Sequence, residues 1–405
     1  MRFAGDKTEK PVRRGIDAGA ILGLIEWLSS DECHALDEPG LLSCLGRRLQ
    51  ALGLPIDRLT LHLTTLHPEF IGRTVAWAPG EPVEIHDREH GARPAFANSP
   101  FRKVMETREL LIVGPGDTGH GSWQNIDVYA GRSLVELLIA PLCNADGAIG
   151  AAAFCTRRPG GFADSERQLI ERILPSLRNA CELRVLRHAE LSLLDTYIGP
   201  VTAQRILAGR IRQGEIESME AALLLCDLRG FTELSNRLPG SDVLKLLNAY
   251  FDKAVPAITR EGGEVLKFMG DAVLAFFPGF DATQACASAL AAAQSILDEM
   301  RHIDVDGIRL KAGIALHYGE VNYGNIGSGR RLDFTLIGRD VNLLSRIQTV
   351  CSEEGMGLLM SEPFRKHAGS VDAVSVGKRR LKGFAEAVEL FGFPAMSTPA
   401  PLQTA

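Results

Sequence analysis

The stretch Val265-Leu-Lys-Phe-Met-Gly-Asp-Ala-Val-Leu-Ala-Phe-Phe277 places one acidic residue, Asp271, between two apolar runs. Apolar runs that flank a glycine in this way are typical of two buried strands joined by a tight turn. A second acidic residue, Asp227, has a matched setting in Leu223-Leu-Leu-Cys-Asp-Leu-Arg-Gly-Phe-Thr232. An unpaired carboxylate at the end of a buried strand costs several kcal/mol, and two carboxylates together repel unless a cation lies between them. The pair therefore predicts a site for a divalent metal ion.

Around this pair, strands alternate with helices from Glu220 onward, which is typical of an α/β domain. The patterns predict a helix over 241–261 that ends at Gly262-Gly263, strands over 264–268 and 272–277, an Ala-rich helix over 282–300 and a strand over 308–316.

The N-terminal part has a different pattern. Helical periodicity covers about 15–30 and 38–52, Leu59–Thr65 alternates like a half-buried strand, and 78–120 has few clear elements. Residues 134–143 and 148–155 predict a hairpin with a turn at Asp146-Gly147, and a long helix follows with Asp164 or Ser165 as its N-cap.

A largely helical segment, residues 166–218, connects the two parts and is broken near Gly199-Pro200. A helix between two domains is either a dimer stalk or a plain linker, and we favour the stalk. The tail from Ser397 to Ala405 is expected to be disordered.

Bulk composition excludes several classes of protein. A chain of 405 residues is long enough for two or three domains, and a net charge of −6 gives no reason to expect a nucleic-acid partner. We find no apolar run of about 18 residues for a membrane span and no signal peptide at the start. The eight cysteines form no C-x-x-C pair and are expected to be reduced, which indicates a cytoplasmic location.

Residues 220–393 are similar to the catalytic domain of class III nucleotide cyclases. Four motifs carry this resemblance in order: Asp227 with Arg229-Gly-Phe-Thr232, Lys267 with Gly270-Asp271, Phe334-Thr-Leu-Ile-Gly-Arg-Asp-Val-Asn-Leu-Leu-Ser-Arg346, and Arg380-Leu-Lys-Gly-Phe384. The resemblance implies a ferredoxin-like α/β fold and formation of a 3′,5′-cyclic nucleotide with release of pyrophosphate.

The resemblance also implies a role for each matching residue. Two Mg²⁺ or Mn²⁺ ions would be held by Asp227, Asp271 and the Leu228 carbonyl, and such hard ions prefer oxygen ligands. The other matching residues are Lys267 and Thr335 for base selection, Asn342 and Arg346 for the ribose and the transition state, and Lys382 for the triphosphate.

The base-selecting pair favours ATP. Lys267 can donate to N1 of adenine and the Thr335 hydroxyl can accept from N6, whereas guanine presents the opposite pattern. Thr335 stands where most adenylate cyclases have Asp, which resembles the subgroup called class IIIb. That subgroup suggests, as a hypothesis, a response to bicarbonate.

The family fold implies a homodimer whose two active sites lie at the interface. The metal-binding aspartates would come from one copy, and the base, ribose and Arg346 contacts from the other. We expect an adenylate cyclase regulated by an N-terminal sensor. The alternatives are a guanylate cyclase or a catalytically silent nucleotide-binding dimer.

The order of elements over residues 15–185 resembles a GAF-type sensor domain. The expected organisation is a GAF-like regulatory domain over 15–185, a helical linker or stalk over 186–219, a cyclase domain over 220–393 and a disordered tail over 394–405. The sequence leaves the sensor's ligand open between a small molecule, a cyclic nucleotide, a tetrapyrrole and none.

Overall fold

The computed structural model of the protein describes residues 18–67, 70–90, 99–114, 131–144, 147–279 and 281–393. The chain divides into two compact units, Met1–Thr196 and Tyr197–Ala405. Four predicted features lie wholly or partly outside the described residues, namely the helix start at 15–17, the segment 78–120 at its residues 91–98 and 115–120, the turn residue Asp146 and the tail over 394–405.

One antiparallel sheet, in the order β3-β2-β1-β6-β5-β4, lies at the centre of the N-terminal unit. Its strands are β1 Arg58–Thr64, β2 Phe70–Trp77, β3 Glu84–Glu89, β4 Leu111–Val113, β5 Glu136–Cys143 and β6 Ala148–Thr156. The helices are α1 Ala18–Leu28, α2 Asp31–His34, α3 Glu38–Ala51, α4 Pro100–Thr107 and α5 Asp164–Ile198. The predicted 134–155 hairpin is confirmed, since β5 and β6 pair antiparallel.

The prediction of a half-buried strand at 59–65 was wrong. Six of the seven residues of β1 are buried, because the strand is central and covered on both faces. Leu59, Leu61 and Leu63 pack with α1, α3 and α5. The polar His62 is buried on the other face against Phe101 of α4, with 3.9 Å between ring centroids. The prediction of few elements over 78–120 was also wrong, since β3, α4 and β4 lie there.

The connecting helices differ in two details from the expectation. Helix α5 begins at Asp164 itself, and Glu166 accepts a hydrogen bond from the Ala163 N–H at 2.7 Å, so neither Asp164 nor Ser165 is the N-cap. The break at Gly199 is confirmed, with a left-handed φ of 84° before helix α6, Pro200–Leu207. Residues 208–218 are not helical. Residues 208–215 form turns and irregular structure, and strand β7 begins at Ile216.

The C-terminal unit is built on a larger sheet in the order β15-β16-β14-β12-β7-β9-β8, with β13 paired to β12. Its strands are β7 Ile216–Leu228, β8 Glu264–Met269, β9 Ala272–Pro278, β10 Asp304–Val305, β11 Ile308–Arg309, β12 Ala312–Ser328, β13 Arg331–Ile337, β14 Leu358–Ser361, β15 Val374–Arg379 and β16 Val388–Gly392. Its helices after α6 are α7 Phe231–Arg237, α8 Gly240–Arg260, α9 Ala282–Met300, α10 Arg339–Glu353 and α11 Glu362–His367.

The central part of this unit follows the ferredoxin-like order β7-α8-β8-β9-α9-β12, with β12 and β9 on either side of β7. Alternate residues of β7 pack into two different hydrophobic cores, one on each face of the sheet. Leu224 and Cys226 pack with α8, α9 and α11, whereas Leu223 and Leu225 pack with α10. The expected mixed α/β fold class, with an N-terminal sheet-and-helix unit and a ferredoxin-like C-terminal unit, is confirmed.

The single strand predicted over 308–316 is interrupted. Residues 308–309 pair with 304–305 across a turn at Asp306-Gly307, where both residues have positive φ, and β12 begins only at Ala312. The two segments pair with different strands. Residues 308–309 pair with β10, whereas β12 pairs with β7 over thirteen registered residues from Ala312 to Gly324. Among the described helices, none combines the length and apolar character that a membrane span requires.

Candidate active site

The two aspartates that end apolar runs, Asp227 and Asp271, lie next to each other in the folded chain. Asp227 is the penultimate residue of β7, and Asp271 lies in the tight turn between β8 and β9, where Gly270 has a φ of 67°. The antiparallel pairing of Cys226 with Val273 brings this turn beside the end of β7. The carboxyl groups of Asp227 and Asp271 are close neighbours. Removal from water raises the pKa of Asp227 to about 7, and the adjacent Asp271 carboxyl acts in the same direction, whereas the charge of Arg229 opposes this shift.

This pair fits a hard divalent cation. Two carboxyl groups that are close together and partly removed from water are an arrangement that a bound cation neutralises, and carboxylate oxygens are the ligands that a hard cation prefers. The described residues contain no cluster of three or more His, Cys, Asp or Glu side chains suited to a metal. Further ligands would therefore have to be backbone carbonyls, such as that of Leu228, water or phosphate oxygens.

Arg229 fixes the chain immediately after this pair. Its Nη2 donates to the carbonyls of Cys351 at 2.8 Å and Met356 at 2.6 Å, at the end of α10 and just beyond it. Gly313, which faces Asp227 across the β7–β12 ladder, leaves the space that the guanidinium occupies. A Cβ on Gly313 would lie 1.7 Å from Arg229 Nη2. The glycine thus allows the arginine to tie the end of β7 to α10.

Lys267 is directed by an irregularity in β8. The β8–β9 register shifts between Val265 and Lys267, so Lys267 lies opposite Leu274, which belongs to the core beneath α10. Its ammonium group donates to Asp333 Oδ2 on β13 at 2.6 Å. A bulge of this kind re-aims a side chain next to a functional site.

Thr335 is buried on β13, two residues beyond Asp333, and lies opposite Gly324 of β12. Residues two apart on a strand share a face, so Lys267 reaches the face of β13 that carries Thr335. The structure thus places the Lys267 ammonium group against the strand that carries Thr335, and the role of both residues in reading the base stays a prediction.

Helix α10 carries Asn342 and Arg346 one turn apart, and Leu343, Leu344 and Ile347 bury its opposite side. Asn342 is exposed and Arg346 is partly buried. Asp340 anchors the first turn of the helix: it accepts from the Glu320 N–H at 2.9 Å and lies 3.4 Å from His317 Nε2. The neighbouring His317 imidazole lowers the pKa of Asp340.

The predicted site residues thus lie in four places: the aspartate pair, the contact of Lys267 with β13, helix α10, and the segment that carries Lys382. Asp227 meets Asp271, and Lys267 meets the strand face of Thr335. Across the described part of the chain, no hydrogen bond or ion pair joins either group to Asn342, Arg346 or Lys382. Lys382 is exposed in the segment between β15 and β16.

Two features of the C-terminal unit were not predicted from the sequence. The first is Asp333, which could have been noticed because its position two residues before Thr335 places it on the same strand face. The second is a buried polar cluster, in which Glu264 Oε1 accepts hydrogen bonds from Thr202 at 2.9 Å and Tyr323 at 3.0 Å. Nothing local in the sequence marks this cluster, because its three residues lie far apart in the chain.

Comparisons with known proteins relate part of the chain to nucleotide cyclases. Residues 215–383 match the family model described as the adenylate and guanylate cyclase catalytic domain. An adenylate cyclase of Anabaena cylindrica is 28% identical over 190 residues, which cover 45% of this chain and 38% of that protein. The terminal-differentiation-specific adenylate cyclase of Dictyostelium discoideum is 26% identical over 232 residues, covering 53% of this chain and 11% of that protein. The chain thus spans less than two fifths of these curated relatives.

Among solved structures, the adenylyl cyclase CyaB from P. aeruginosa is 28% identical, with 44% of this chain and 95% of that chain covered and a TM-score of 0.40. The family match and the adenylate cyclase relatives support a class III cyclase catalytic domain, and with it a cyclase enzyme, in the C-terminal part of the chain.

Proposed function

We propose that this protein is an adenylate cyclase that converts ATP to 3′,5′-cyclic AMP and pyrophosphate. The observation that carries the proposal is the contact between Asp227 and Asp271 inside the segment that matches the cyclase family. Two carboxylates at the end of a buried sheet have no evident structural use and are suited to binding Mg²⁺ or Mn²⁺.

Each residue of the site has a chemical task. The ribose 3′ oxygen bonds to the α-phosphorus as the bond to the β-phosphate oxygen breaks, and the hydroxyl proton is lost to solvent. Asp227, Asp271 and the Leu228 carbonyl would hold two divalent ions, which when bound acidify the 3′ hydroxyl and neutralise phosphate charge. The remaining tasks are orientation of the ribose by Asn342, stabilisation of α-phosphate charge by Arg346 and binding of the triphosphate by Lys382.

The base-reading residues favour adenine. Lys267 donates only, and N1 of adenine accepts. The Thr335 hydroxyl, buried on β13, is free to accept from N6. Guanine would present a donor to the lysine, which is a mismatch.

We further propose a homodimer in which each active site is shared. Within one chain the described contacts join Asp227 to Asp271 and Lys267 to β13, but leave Asn342 and Arg346 apart from both groups. The C-terminal part of α5 also exposes Leu186, Leu193 and Tyr197, which supports its role as a helical stalk. In this proposal the GAF-like unit regulates the activity of the dimer. Sensitivity to bicarbonate stays a hypothesis, which an assay of cyclase activity with and without bicarbonate at fixed pH would test.

Product identification tests the activity. The full-length protein is incubated with Mn²⁺ and either ATP or GTP, and the products are separated and identified by mass spectrometry. We expect cyclic AMP with a higher kcat/KM for ATP. Preferential formation of cyclic GMP would make the protein a guanylate cyclase. Absence of any cyclic nucleotide would refute the proposed enzymatic activity and would favour the alternative of a catalytically silent nucleotide-binding dimer.

Mixing two inactive variants tests the shared site. Asp227→Ala and Arg346→Ala should each be nearly inactive. After subunit exchange, half of the dimers are hybrids with one intact site, so about a quarter of wild-type activity should return. Lack of recovery, with hybrid formation shown by native mass spectrometry, would place all catalytic groups of a site in one chain.

A further inference from the structure

The ion pair between Lys267 and Asp333 joins two strands that are not neighbours in the sheet. Strand β8 pairs with β9, and β13 pairs with β12. The contact is nevertheless short, at 2.6 Å, and the lysine side chain is only 27% exposed. Because the sheet holds both backbones, this ion pair restricts where the Lys267 ammonium group can lie.

We propose that Asp333 is a positioning residue for base recognition, which holds the Lys267 ammonium group beside Thr335 so that the pair reads N1 and N6 of adenine. The inference rests on the proposed adenylate cyclase function and extends it to a residue that touches no nucleotide in our account.

The chemistry of the two base-reading groups explains why such a residue is needed. A threonine hydroxyl can donate or accept, so Thr335 alone accommodates either adenine or guanine. An ammonium group only donates, so the discrimination depends on where Lys267 is held. Lysine is a flexible point charge on a four-carbon stem, and a partner that fixes it before binding reduces the ordering required when ATP arrives.

The geometry is compatible with simultaneous contacts. Lys267 has three N–H donors, and its ion pair with Asp333 uses one, which leaves others for a base nitrogen. Asp333 and Thr335 lie two residues apart on one strand face, so an ammonium group held by the Asp333 carboxylate lies on the face of β13 that carries Thr335. The Asp333 side chain itself is 58% exposed, so its replacement should leave the core intact.

The test compares Asp333→Asn and Asp333→Glu with wild type in steady-state assays with ATP and GTP. For Asp333→Asn we expect the KM for ATP to rise about tenfold and the ATP-over-GTP preference to fall about tenfold, with kcat changed less than threefold. Asp333→Glu keeps the charge and should restore much of both losses. Asp298→Asn, which alters another exposed ion pair, is the matched control and should behave as wild type.

A double variant shows whether Asp333 acts through the lysine. In a Lys267→Met background, Asp333→Asn should produce no further change in KM or in base preference. An equal effect in both backgrounds would overturn the proposal, as would unchanged ATP kinetics in Asp333→Asn. A lower KM for ATP would also overturn it, since the carboxylate would then compete with the base. Failure of wild type to form cyclic AMP would instead refute the proposed function.

Discussion

Replacement of Gly313 by alanine perturbs the Arg229 contact that ties the metal-binding strand to α10. The new Cβ would lie 1.7 Å from Nη2 and 2.1 Å from Cζ of Arg229, far inside van der Waals contact. The guanidinium would have to leave, and with it the bonds to the Cys351 and Met356 carbonyls would be lost.

The magnitude follows from those two bonds. A hydrogen bond from a charged donor contributes about 1.5–3 kcal/mol, and water would replace part of the loss for a group that is only partly buried. The alanine also stabilises by about 0.4–1 kcal/mol through the unfolded chain. The net loss should be about 2–3 kcal/mol, or roughly 4–12 °C in the Tm of a unit of this size.

Urea and thermal unfolding of the full chain would measure this loss. Gly240→Ala is the matched control, since a Cβ at Gly240 meets nothing within 4 Å and alanine should stabilise the start of α8. In an Arg229→Ala background, Gly313→Ala should cost nothing. Equal stability of Gly313→Ala and Gly240→Ala, or the same loss with Arg229 absent, would refute this reasoning.

Three further predictions concern titratable side chains, of which His62 and Glu264 are buried and Asp340 is partly exposed. Burial lowers the pKa of His62 to about 3, so the unfolded state binds the extra proton, and the N-terminal unit should lose up to about 1.4 kcal/mol per pH unit below pH 6.5. His62→Phe should remove that slope in urea unfolding between pH 7 and pH 5, and an unchanged slope would contradict the assignment. Burial raises the pKa of Glu264, so the folded state holds its proton more tightly and stability should fall as pH rises above the ordinary value of about 4.3. Glu264→Gln should therefore raise the Tm of the C-terminal unit at pH 8 but not at pH 4; a lower Tm at pH 8 would show that the charge is favourable there. Asp340→Asn should destabilise the unit by about 1.5–3 kcal/mol and lower kcat, because Asp340 anchors the helix that carries Asn342; a stable variant with normal kcat would argue against that anchoring role.

Local patterns were sufficient for much of the fold. The Ala-rich helix over 282–300 appears within those bounds as α9, and the hairpin that presents Asp271 has the predicted glycine turn. These elements are specified by periodicity and by glycine conformation, which a short window of sequence contains.

Features that depend on partners distant in the chain were not predictable. The alternation of β1 suggested a solvent-facing side, but α4 covers that side and buries His62. The segment 308–316 has no Gly or Pro at residues 310–311, where it is interrupted, and the interruption reflects two different pairing partners.

The site shows the same division. Asp227 and Asp271 were each identifiable at a strand end, whereas their contact requires the register between β7 and β9. Asp333 resembled an ordinary exposed carboxylate until the fold placed Lys267, distant in sequence, against it.

In the proposed reaction, Asp227 and Asp271 bind the divalent ions that cyclisation of ATP requires. The most direct test measures cyclic AMP formed from ATP over a range of Mn²⁺ concentrations for wild type and Asp271→Asn, with folding checked by circular dichroism. We predict metal-dependent formation of cyclic AMP by wild type, abolished by a chelator, and a rate at least about 100-fold lower for the folded variant. Equal rates for the two proteins, or wild-type activity that persists in excess chelator, would show that Asp227 and Asp271 do not bind ions that the reaction requires.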